Sequence, residues 1–418
     1  MAAHGGSVAG TPGRVSSAVM QRRCAHWWLL GALVAACGPQ PVDSPQRDAA
    51  LPDATSFDAA LPDAPGAADA AAPGLTRVRV HYDTGLGHRI VLRGDGAGRS
   101  WDSGQDCQWS DGNIWRCELA PADGVIEFKP LVDDATWARG TNWRVVAGTS
   151  TDIYPHFHAT VGRLVRHAGF HSALLGNDRD LVVYLPPGYD ENSAARYPLL
   201  VVHDGQNLFE PSESATGVAW ELDAAVDALV AGAGITPMII AGIANTGGDR
   251  LSEYTPTVDA ELGGGAGATY LDFLVGEVRP ALQAAYRTTG GRVGLAGSSL
   301  GGLITLHGCW TRPSQFERCG VFSPSLWWDD GELLARIAAD PDGAAEHAQR
   351  LYVDSGDQGP SMDGMTATAM LRDLLVAKGW GDELRYVLGI GHAHDESAWA
   401  ARAPDALRFL YADPARAP

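Results

Sequence analysis

Basic side chains are scarce in this sequence. Its 418 residues include 31 lysines and arginines against 50 aspartates and glutamates, which gives a formal net charge of −19. Non-specific binding to nucleic acid depends on a basic surface that neutralises phosphates, and electrostatic docking on anionic lipid has a similar requirement. The composition therefore argues against both kinds of partner, and the simplest role of the negative charge is to keep the protein soluble.

Long apolar segments are lacking as well. The apolar run at residues 27–36 is too short to span a bilayer, which takes about 20 apolar residues. No later segment is both long and apolar enough, so the sequence excludes a membrane transporter.

The N-terminal run instead has the features of a secretory signal. Arg22 and Arg23 precede it, and small residues lead to Cys37, an order typical of such signals. The letters VAAC resemble the bacterial lipobox, in which the cysteine becomes the lipidated first residue. We predict a signal peptide with a lipobox over residues 1–37, with Met20 as an alternative start, and a lipid anchor in the bacterial cell envelope. A plain signal peptide with an incidental cysteine, or a buried helix, is the alternative.

Pairs of cysteines at metal-binding spacing are missing too. No C-x-x-C pair or close Cys/His cluster occurs, so a zinc site has no support. Outside the signal and Cys37, four cysteines remain, namely Cys107, Cys117, Cys309 and Cys319. An even number suits an oxidising compartment. The local bridges Cys107–Cys117 and Cys309–Cys319 are the simplest of the three connectivities.

Composition divides the rest of the chain into three parts. Residues 38–74 are rich in Ala, Pro and Asp, repeat the letters DAALPDA and hold few large apolar side chains. Such a stretch cannot offset its chain entropy by burial, so we predict a disordered spacer. Residues 75–160 contain short alternating segments separated by Gly- and Asp-rich turns, which predict a small all-β sandwich.

The predicted sandwich is rich in tryptophan. The residues concerned are Trp101, Trp109, Trp115, Trp137 and Trp143. Aromatic faces can stack on sugar rings, but they can equally fill a core or an interface, and both interpretations stay open. Residues 127–140 bear a short resemblance to strands of starch-binding and related early-set sandwiches.

From residue 166 to residue 418 the pattern is α/β. Short apolar strands such as residues 199–202 and 292–296 alternate with helical periodicity, as in residues 270–286. This alternation predicts a mostly parallel sheet covered by helices on both faces. The predicted fold class is therefore α/β, an α/β-hydrolase preceded by the small sandwich.

The strongest chemical signal is the sequence GSSLG at residues 297–301, which fits G-x-S-x-G. A strand must run into a helix through a tight turn, and small neighbours let the central Ser299 project its hydroxyl above the sheet. The predicted strand and helix flank it. A structural turn is the alternative.

A serine nucleophile needs a base and an acid, which follow it in this fold in the order acid, then histidine. His392 and His394 lie in a loop after a late strand. Asp357 is the first choice for the acid because it sits in the loop after strand 350–353, and Asp354 and Asp363 stay open. A buried carboxylate there would fix the imidazole tautomer.

The oxyanion of such a reaction needs two amide donors. One is expected from Leu300, directly after Ser299, and the second from near Gln206, in the loop that follows strand 199–202. His203 and Asp204 in this loop are adjacent metal-ligand types without a partner cluster, so we predict no metal site.

Six motifs occur in order over about 240 residues. They are VVYLPPGY (182–189), HDGQNLF (203–209), R-x-x-EYTP (250–256), GSSLGG (297–302), SPSLWW (323–328) and H-D-E-x-x-W (394–399). In these motifs the chain resembles the esterase family that includes enterochelin esterases, feruloyl and acetyl-xylan esterases and mycobacterial mycolyltransferases. Several of these relatives also carry a small β domain before the hydrolase.

The resemblance implies roles for several residues. It makes Ser299 the nucleophile and His394, rather than His392, the base. It also implies that four residues lie around the acyl or alcohol pocket, for which loop packing is the alternative: Arg250, Glu253, Tyr254 and Trp327.

Two positions depart from the family pattern. Asp395 stands where relatives usually have Asn after the histidine, and Gly359 occupies the position where many relatives have the acid. The identity of the acid therefore stays open.

Together these features predict a secreted, lipid-anchored serine esterase that forms an acyl-enzyme and uses no metal or organic cofactor. Expected substrates are polysaccharide-linked acyl or feruloyl esters, or siderophore esters. Acyl transfer to a sugar is a variant of the same chemistry. The competing hypothesis is a non-catalytic, carbohydrate-binding surface lipoprotein.

Overall fold

The computed structural model describes residues 74–96 and 98–416. The predicted signal peptide, the lipidation residue Cys37 and all but the last residue of the predicted spacer lie outside these ranges. Among the helices of the described ranges, none is long and apolar enough to cross a membrane.

Two facing sheets make up the N-terminal part of the described chain. Its strands are β1 (Thr76–His81), β2 (Ile90–Asp95), β3 (Gln105–Asp106), β4 (Gln108–Ser110), β5 (Ile114–Leu119), β6 (Val125–Val132), β7 (Thr136–Trp137), β8 (Trp143–Val146) and β9 (Ser150–Ile153). One sheet has the order β4-β5-β1-β9, and the other has β3-β2-β6-β7, with β8 also paired to β6. Side chains in β1 alternate between buried and half-buried positions, as expected of strands with one face on a core.

The tryptophans of this sandwich divide into two groups. Trp115 and Trp143 are buried in its core, whereas Trp101, Trp109 and Trp137 are exposed. The disulfide Cys107–Cys117 ties β5 to the short segment between β3 and β4, which is the local pairing favoured by the spacing.

An eight-stranded mixed sheet forms the centre of the C-terminal part, in the order β10-β11-β13-β12-β16-β17-β18-β19. These strands are β10 (Arg163–Ser172), β11 (Asn177–Leu185), β12 (Leu199–His203), β13 (Ile239–Ile243), β16 (Val293–Ser298), β17 (Phe316–Phe322), β18 (Arg350–Gly356) and β19 (Leu384–Gly389), with β14 (Val258–Asp259) and β15 (Gly263–Gly264) forming a separate hairpin. From β13 to β19 in this order, neighbouring strands are parallel. Strand β11 pairs antiparallel with β13 on one side and with β10 on the other.

Helices connect these strands. They are α1 (Leu222–Gly232), α2 (Arg250–Glu253), α3 (Gly267–Phe273), α4 (Arg279–Ala285), α5 (Leu300–Thr311), α6 (Glu332–Ala339), α7 (Ala344–His347), α8 (Met365–Ala377) and α9 (Glu396–Leu410). A π turn at Leu274–Val278 joins α3 to α4, and short 3₁₀ turns occur at Gly205–Asn207, Trp328–Gly331 and Met362–Gly364. The predicted α/β class with a mostly parallel sheet is confirmed.

Apolar side chains fill the space on both faces of the sheet. One core contains Val201, Leu295 and the helix residue Leu303, and the other contains Val202 and Leu407 from α9. Every residue of β12 and of β13 is buried, which is why these segments read as continuous apolar runs rather than alternating ones. The second disulfide, Cys309–Cys319, joins the last turn of α5 to β17.

The loops that follow the parallel strands and the β-sandwich lie at opposite edges of the sheet. Because β12, β13 and β16 to β19 are parallel, the loops after them all leave one edge. The loop after β11, which runs antiparallel to β13, leaves the opposite edge. There the Glu191 carboxylate accepts hydrogen bonds from the amides of Phe157 at 2.5 Å and His158 at 3.0 Å, and Asn192 donates to the carbonyl of His81. The sandwich is therefore attached at the edge away from the carboxyl ends of the parallel strands.

Candidate active site

Ser299 occupies a sharp bend between β16 and α5. Its backbone has φ 59° and ψ −121°, a strained conformation for a residue with a side chain. Close packing around the bend excludes larger neighbours. A Cβ on Gly297 would lie 2.8 Å from His203 Cδ2, and one on Gly302 would lie 2.7 Å from the carbonyl oxygen of Phe322. Gly297 at the start of the G-x-S-x-G motif and Gly302 directly after the motif thus leave the space that the bend at Ser299 requires.

The segment after β17 holds this bend from the side. The Ser299 amide donates to the carbonyl of Phe322 at 3.1 Å, and the Ser325 amide donates to the carbonyl of Ser299 at 3.0 Å. The hydroxyl oxygens of Ser299 and Ser325 are 3.3 Å apart. Helix α5 begins at Leu300, so the first amides of the helix, which have no partner within it, start directly after Ser299.

His394 contacts a carboxylate at the same edge of the sheet. Its Nδ1 lies 2.5 Å from Oδ1 of Asp363, and the imidazole packs edge-on against Trp399 with 5.0 Å between ring centroids. The next residue, Asp395, caps α9 by accepting a hydrogen bond from the Ala398 amide at 2.9 Å. The cap fixes the start of α9 and therefore the backbone next to His394.

The carboxylate beside His394 belongs to Asp363 and not to Asp357, the first choice from the sequence. Asp357 turns its carboxylate to the Gly391 amide, at 2.7 Å, and to the amide group of Gln358. The chain continues past Asp357 into the 3₁₀ turn at Met362–Gly364, where Asp363 has φ 48°. The path of this loop, rather than distance along the sequence, brings Asp363 to the imidazole.

Asp363 is completely buried and fully engaged. Its Oδ2 accepts hydrogen bonds from the Ser323 hydroxyl, at 2.6 Å, and from the Gly356 amide. A carboxylate held by several donors keeps one orientation, which leaves Oδ1 directed at His394.

Asp354, another acid considered from the sequence, has a different partner. The buried guanidinium of Arg402 contacts both of its oxygens, at 2.8 and 3.2 Å. Burial raises the pKa of Asp354, although Arg402 opposes that shift. Arg402 also lies 3.1 Å from Nδ1 of the half-buried His392, so Arg402 links His392 to the buried Asp354 next to the His394 and Asp363 pair.

The loop after β12 carries the second predicted amide donor. Asp204 has a left-handed backbone, with φ 56°, and a Cβ on Gly205 would lie 2.4 Å from the backbone of Gly242. Gln206 follows in the 3₁₀ turn, and its side-chain oxygen accepts from the Asn245 amide at 3.3 Å. Because β12 and β16 are parallel neighbours, the loop that carries Gln206 leaves the sheet at the same edge as Ser299 and Leu300.

Arg250 supports that loop. Its guanidinium binds both oxygens of Asp204, at 2.8 and 2.7 Å. Burial alone would raise the pKa of Asp204, but the charge and hydrogen bonds of Arg250 hold it below its ordinary value. His203 is also buried, with Nδ1 at 2.9 Å from the hydroxyl of Tyr270, and burial lowers its pKa to about 3. Nδ1 of His203 and both carboxylate oxygens of Asp204 thus have hydrogen-bond partners within the protein.

Two of the four predicted pocket residues lie in the interior instead. The carboxylate of Glu253 is 3% exposed and forms a buried ion pair with Arg179, at 2.7 Å. Tyr254 is completely buried, and its hydroxyl accepts from the Asp204 amide at 3.2 Å. Both support the loop and helix that carry Asp204 and Arg250, and both are buried rather than exposed at a pocket surface.

Trp327 differs from these two, because it is half-buried. Its ring packs against that of Trp328, with 5.9 Å between centroids. It therefore retains a surface that a ligand can reach.

Sequence reasoning missed the residues that hold the site together, namely Ser323, Ser325 and Arg402. The two serines lie in the SPSLWW motif, which was recognised only as a mark of resemblance. The sequence feature that could have identified them is the position of this motif. It directly follows β17, which pairs with β16, the strand that leads to Ser299. Arg402 had no such signal, since its role depends on one turn of α9 facing β18.

Comparison with known proteins identifies the family. The family model described as "Putative esterase" matches residues 172–410, which is more than half of the chain. The chain belongs to this esterase family. The prediction of an esterase-family enzyme with an α/β-hydrolase domain is confirmed.

Relatives of the esterase domain come from fungi and bacteria. The siderophore triacetylfusarinine C esterase of Aspergillus fumigatus is 33% identical over 203 residues, which cover 45% of this chain and 64% of that protein. The chain thus spans just under two thirds of the fungal protein. The uncharacterized protein YbbA of Bacillus subtilis is 26% identical over 245 residues, 56% of this chain and 93% of that protein. The crystal structure of an IroE-like serine hydrolase from Shewanella oneidensis is similar with a TM-score of 0.48 and 22% identity, and the match covers 60% of this chain and 80% of that chain.

Proposed function

We propose that the protein hydrolyses carboxylic esters, with Ser299 as nucleophile, His394 as general base and Asp363 as the acid that orients it. The observation that carries this proposal is the 2.5 Å contact between His394 and the buried Asp363, at the sheet edge where Ser299 projects from its strained bend. Asp363 takes the role that the sequence favoured for Asp357.

The proposed reaction has two stages. Ser299 Oγ attacks the ester carbonyl carbon while its proton passes to His394 Nε2, and Asp363 stabilises the resulting imidazolium. The amides of Leu300 and Gln206 are the expected donors to the oxyanion. Collapse of the intermediate breaks the bond to the alcohol, which leaves with the proton from His394. Water, activated by His394, then releases the acid from Ser299.

Siderophore esters are the proposed substrate class. The support is that the Aspergillus fumigatus relative is a triacetylfusarinine C esterase, and that the iron(III) salmochelin esterase of Escherichia coli is 29% identical over 174 residues, 39% of this chain and 38% of that protein. Feruloyl and polysaccharide-linked acyl esters are the alternatives. Rates on a siderophore lactone, a feruloyl ester, acetylated xylan and a short aryl ester separate them. A siderophore lactone that is turned over no faster than the aryl ester would contradict the assignment.

The serine mechanism itself is tested with a short p-nitrophenyl ester. Ser299→Ala should abolish turnover, whereas Ser298→Ala, the same change at the preceding and buried residue, should retain it. Labelling by a fluorophosphonate should follow the same pattern. A wild-type protein that neither turns over the ester nor is labelled would favour the non-catalytic alternative. Acyl transfer is distinguished by adding an acceptor sugar and measuring the acylated product.

A second candidate function, binding of carbohydrate by the sandwich, is favoured by one observation. Trp101 and Trp137 are exposed and stack, with ring centroids 6.3 Å apart and an interplanar angle of 30°. Arg93 lies over Trp137 and binds Asp134 at 2.7 Å, so polar groups border the aromatic faces. Retardation in gels containing starch or xylan should be lost in Trp101→Ala and Trp137→Ala but kept in Trp109→Ala, the matched change on the other sheet.

We also propose that the protein is lipid-anchored at Cys37 in the cell envelope. The signal-like N-terminus supports this location, and the two disulfides suit an oxidising compartment. Metabolic labelling with a fatty acid should mark the wild type and not Cys37→Ala. Equal labelling of the two would contradict the anchor.

A further inference from the structure

Ser325 lies beside the reacting hydroxyl without a role in the proposed reaction. Its side chain is 4% exposed, and its Oγ is 3.3 Å from Oγ of Ser299. The position of Ser325 is set by its backbone, because its amide donates to the carbonyl of Ser299 and its carbonyl accepts from the Trp328 amide at 3.1 Å. The backbone of Ser325 therefore holds its hydroxyl beside that of Ser299.

The proposed base has no corresponding contact. Within the described ranges, Nε2 of His394 is buried and has no hydrogen-bond partner, while Nδ1 is held by Asp363. One nitrogen of the imidazole is therefore held by Asp363, the other has no hydrogen bond, and the Ser299 hydroxyl contacts Ser325. Rotation about the Cα–Cβ bond of Ser299 moves its hydroxyl without moving the strained backbone.

We infer that Ser325 is a positioning residue that holds the Ser299 hydroxyl away from His394 in the substrate-free enzyme. This inference rests on the proposed function. Ser299 has two positions, one bound to Ser325 and one bound to His394, and only the second leads to proton transfer. An electrophile reacts with the fraction of enzyme in the second position, so the hydrogen bond to Ser325 lowers the rate of attack on any small reagent.

The test measures how fast a fluorophosphonate reacts with the protein. Ser299 Oγ forms a bond to phosphorus, the bond from phosphorus to fluorine breaks, fluoride leaves, and the serine proton goes to His394. Ser325→Ala removes the competing hydroxyl and should raise the second-order rate constant by about 2- to 10-fold, the range expected for loss of one ordinary hydrogen bond. Damage to the site would instead lower the rate, so the sign separates positioning from a merely structural role.

The pH profile of labelling gives a second readout. Because Ser325 carries no charge, its removal should raise the plateau and leave the pH midpoint of the base in place. A rise caused by a shifted midpoint would overturn the inference. Ser193→Ala, the same change at an exposed residue in the loop before β12, serves as the matched control and should keep the wild-type rate.

The wild type supplies a test that does not depend on folding of a variant. A high-resolution crystal structure of the substrate-free enzyme should place Ser299 Oγ within hydrogen-bond distance of Ser325 Oγ and out of reach of His394 Nε2. The reverse arrangement overturns the inference, and so does an unchanged or lower labelling rate in Ser325→Ala while the wild type is labelled at Ser299. Absence of wild-type labelling at Ser299 is a different result, since it contradicts the proposed function itself.

Discussion

Asp363 is the side chain on which the orientation of His394 depends. Contacts from three parts of the chain hold it: Ser323 after β17, Gly356 at the end of β18 and His394 before α9. Asp357, six residues earlier, has a nearby carboxylate but binds only the neighbouring loop. The two residues therefore allow a comparison of two carboxylates that both follow β18, of which only Asp363 contacts the imidazole.

At the scale of single residues, Asp363→Asn should reduce kcat by about 10³- to 10⁴-fold, because an amide favours the wrong imidazole tautomer and cannot stabilise the imidazolium. Asp357→Asn should cost less than about 10-fold, since its carboxylate only braces a turn. Steady-state kinetics on a p-nitrophenyl ester, with circular dichroism to verify folding, measure both. Equal losses in the two variants would count against Asp363 as the acid.

At the scale of secondary structure, the start of α5 determines how Ser299 is presented. Helix α5 packs so closely on the segment after β17 that Gly302 has no space for a methyl group, since its Cβ would lie 2.7 Å from the Phe322 carbonyl oxygen and 3.1 Å from Pro324 Cα. Both neighbours are backbone atoms, and they cannot give way without moving the segment that also carries Ser323 and Ser325.

Gly302→Ala should therefore lower the free energy of unfolding by about 1 to 3 kcal/mol, the usual cost of overpacking, and reduce kcat through displacement of Ser299. Gly232→Ala is the matched control. It lies in the last turn of α1 with open space around the added Cβ, so it should be neutral or stabilising by up to about 1 kcal/mol. Urea denaturation measures both changes, and a Gly302→Ala protein as stable as the control would show that the helix can shift freely.

At the scale of the whole molecule, several buried histidines couple stability to pH. Burial lowers the pKa of His203 to about 3, and that of His156 and His307 to about 4. In the unfolded chain these groups bind protons as the pH falls through about 6.5, while the folded protein keeps them neutral. Acid below about pH 6.5 therefore favours the unfolded state. The free energy of unfolding stops falling near the pKa values of the folded state.

The free energy of unfolding should fall between pH 7.5 and pH 5.5 by about 1 kcal/mol for each of these histidines. The raised pKa values of Asp354 and Glu396 change the free energy of unfolding in the opposite sense. A histidine variant compared with the wild type is therefore a sharper test than the pH dependence of the wild type alone. His203→Asn, which keeps a polar atom near Tyr270, should have a shallower pH dependence than the wild type by about 1 kcal/mol. Ser193→Ala, at an exposed position without a titratable group, should keep the wild-type slope; a His203→Asn slope equal to the wild-type slope would refute this account.

Much of the architecture can be predicted from local patterns in the amino-acid sequence. Alternation in β1, continuous apolar runs in β12 and β13, and the G-x-S-x-G bend at Ser299 each reflect residues close together in the chain. The local disulfide pairs follow from the same cause, because cysteines ten residues apart meet when the strands or helices between them turn back. The resemblance of its motif points to His394 rather than His392, and His394 is the one whose imidazole contacts Asp363.

The sequence did not predict features that depend on the path of a loop or on which face of a helix is buried. Asp357 was preferred to Asp363 because both follow β18, and only the turn at Met362–Gly364 determines which carboxylate meets the imidazole. Glu253 and Tyr254 were expected at a pocket, but the burial of α2 against Arg179 and Asp204 turns them inward.

The sequence by itself determined the class of fold, the strained serine and the order of the chemical groups along the chain, because these depend on short-range sterics and on the period of apolar residues. The tertiary structure alone decided which carboxylate contacts His394, that Arg402 braces Asp354, and that Ser325 lies against Ser299. Each of these contacts joins residues at least 26 positions apart, and their geometry is set by packing across the sheet rather than by any local preference of the chain.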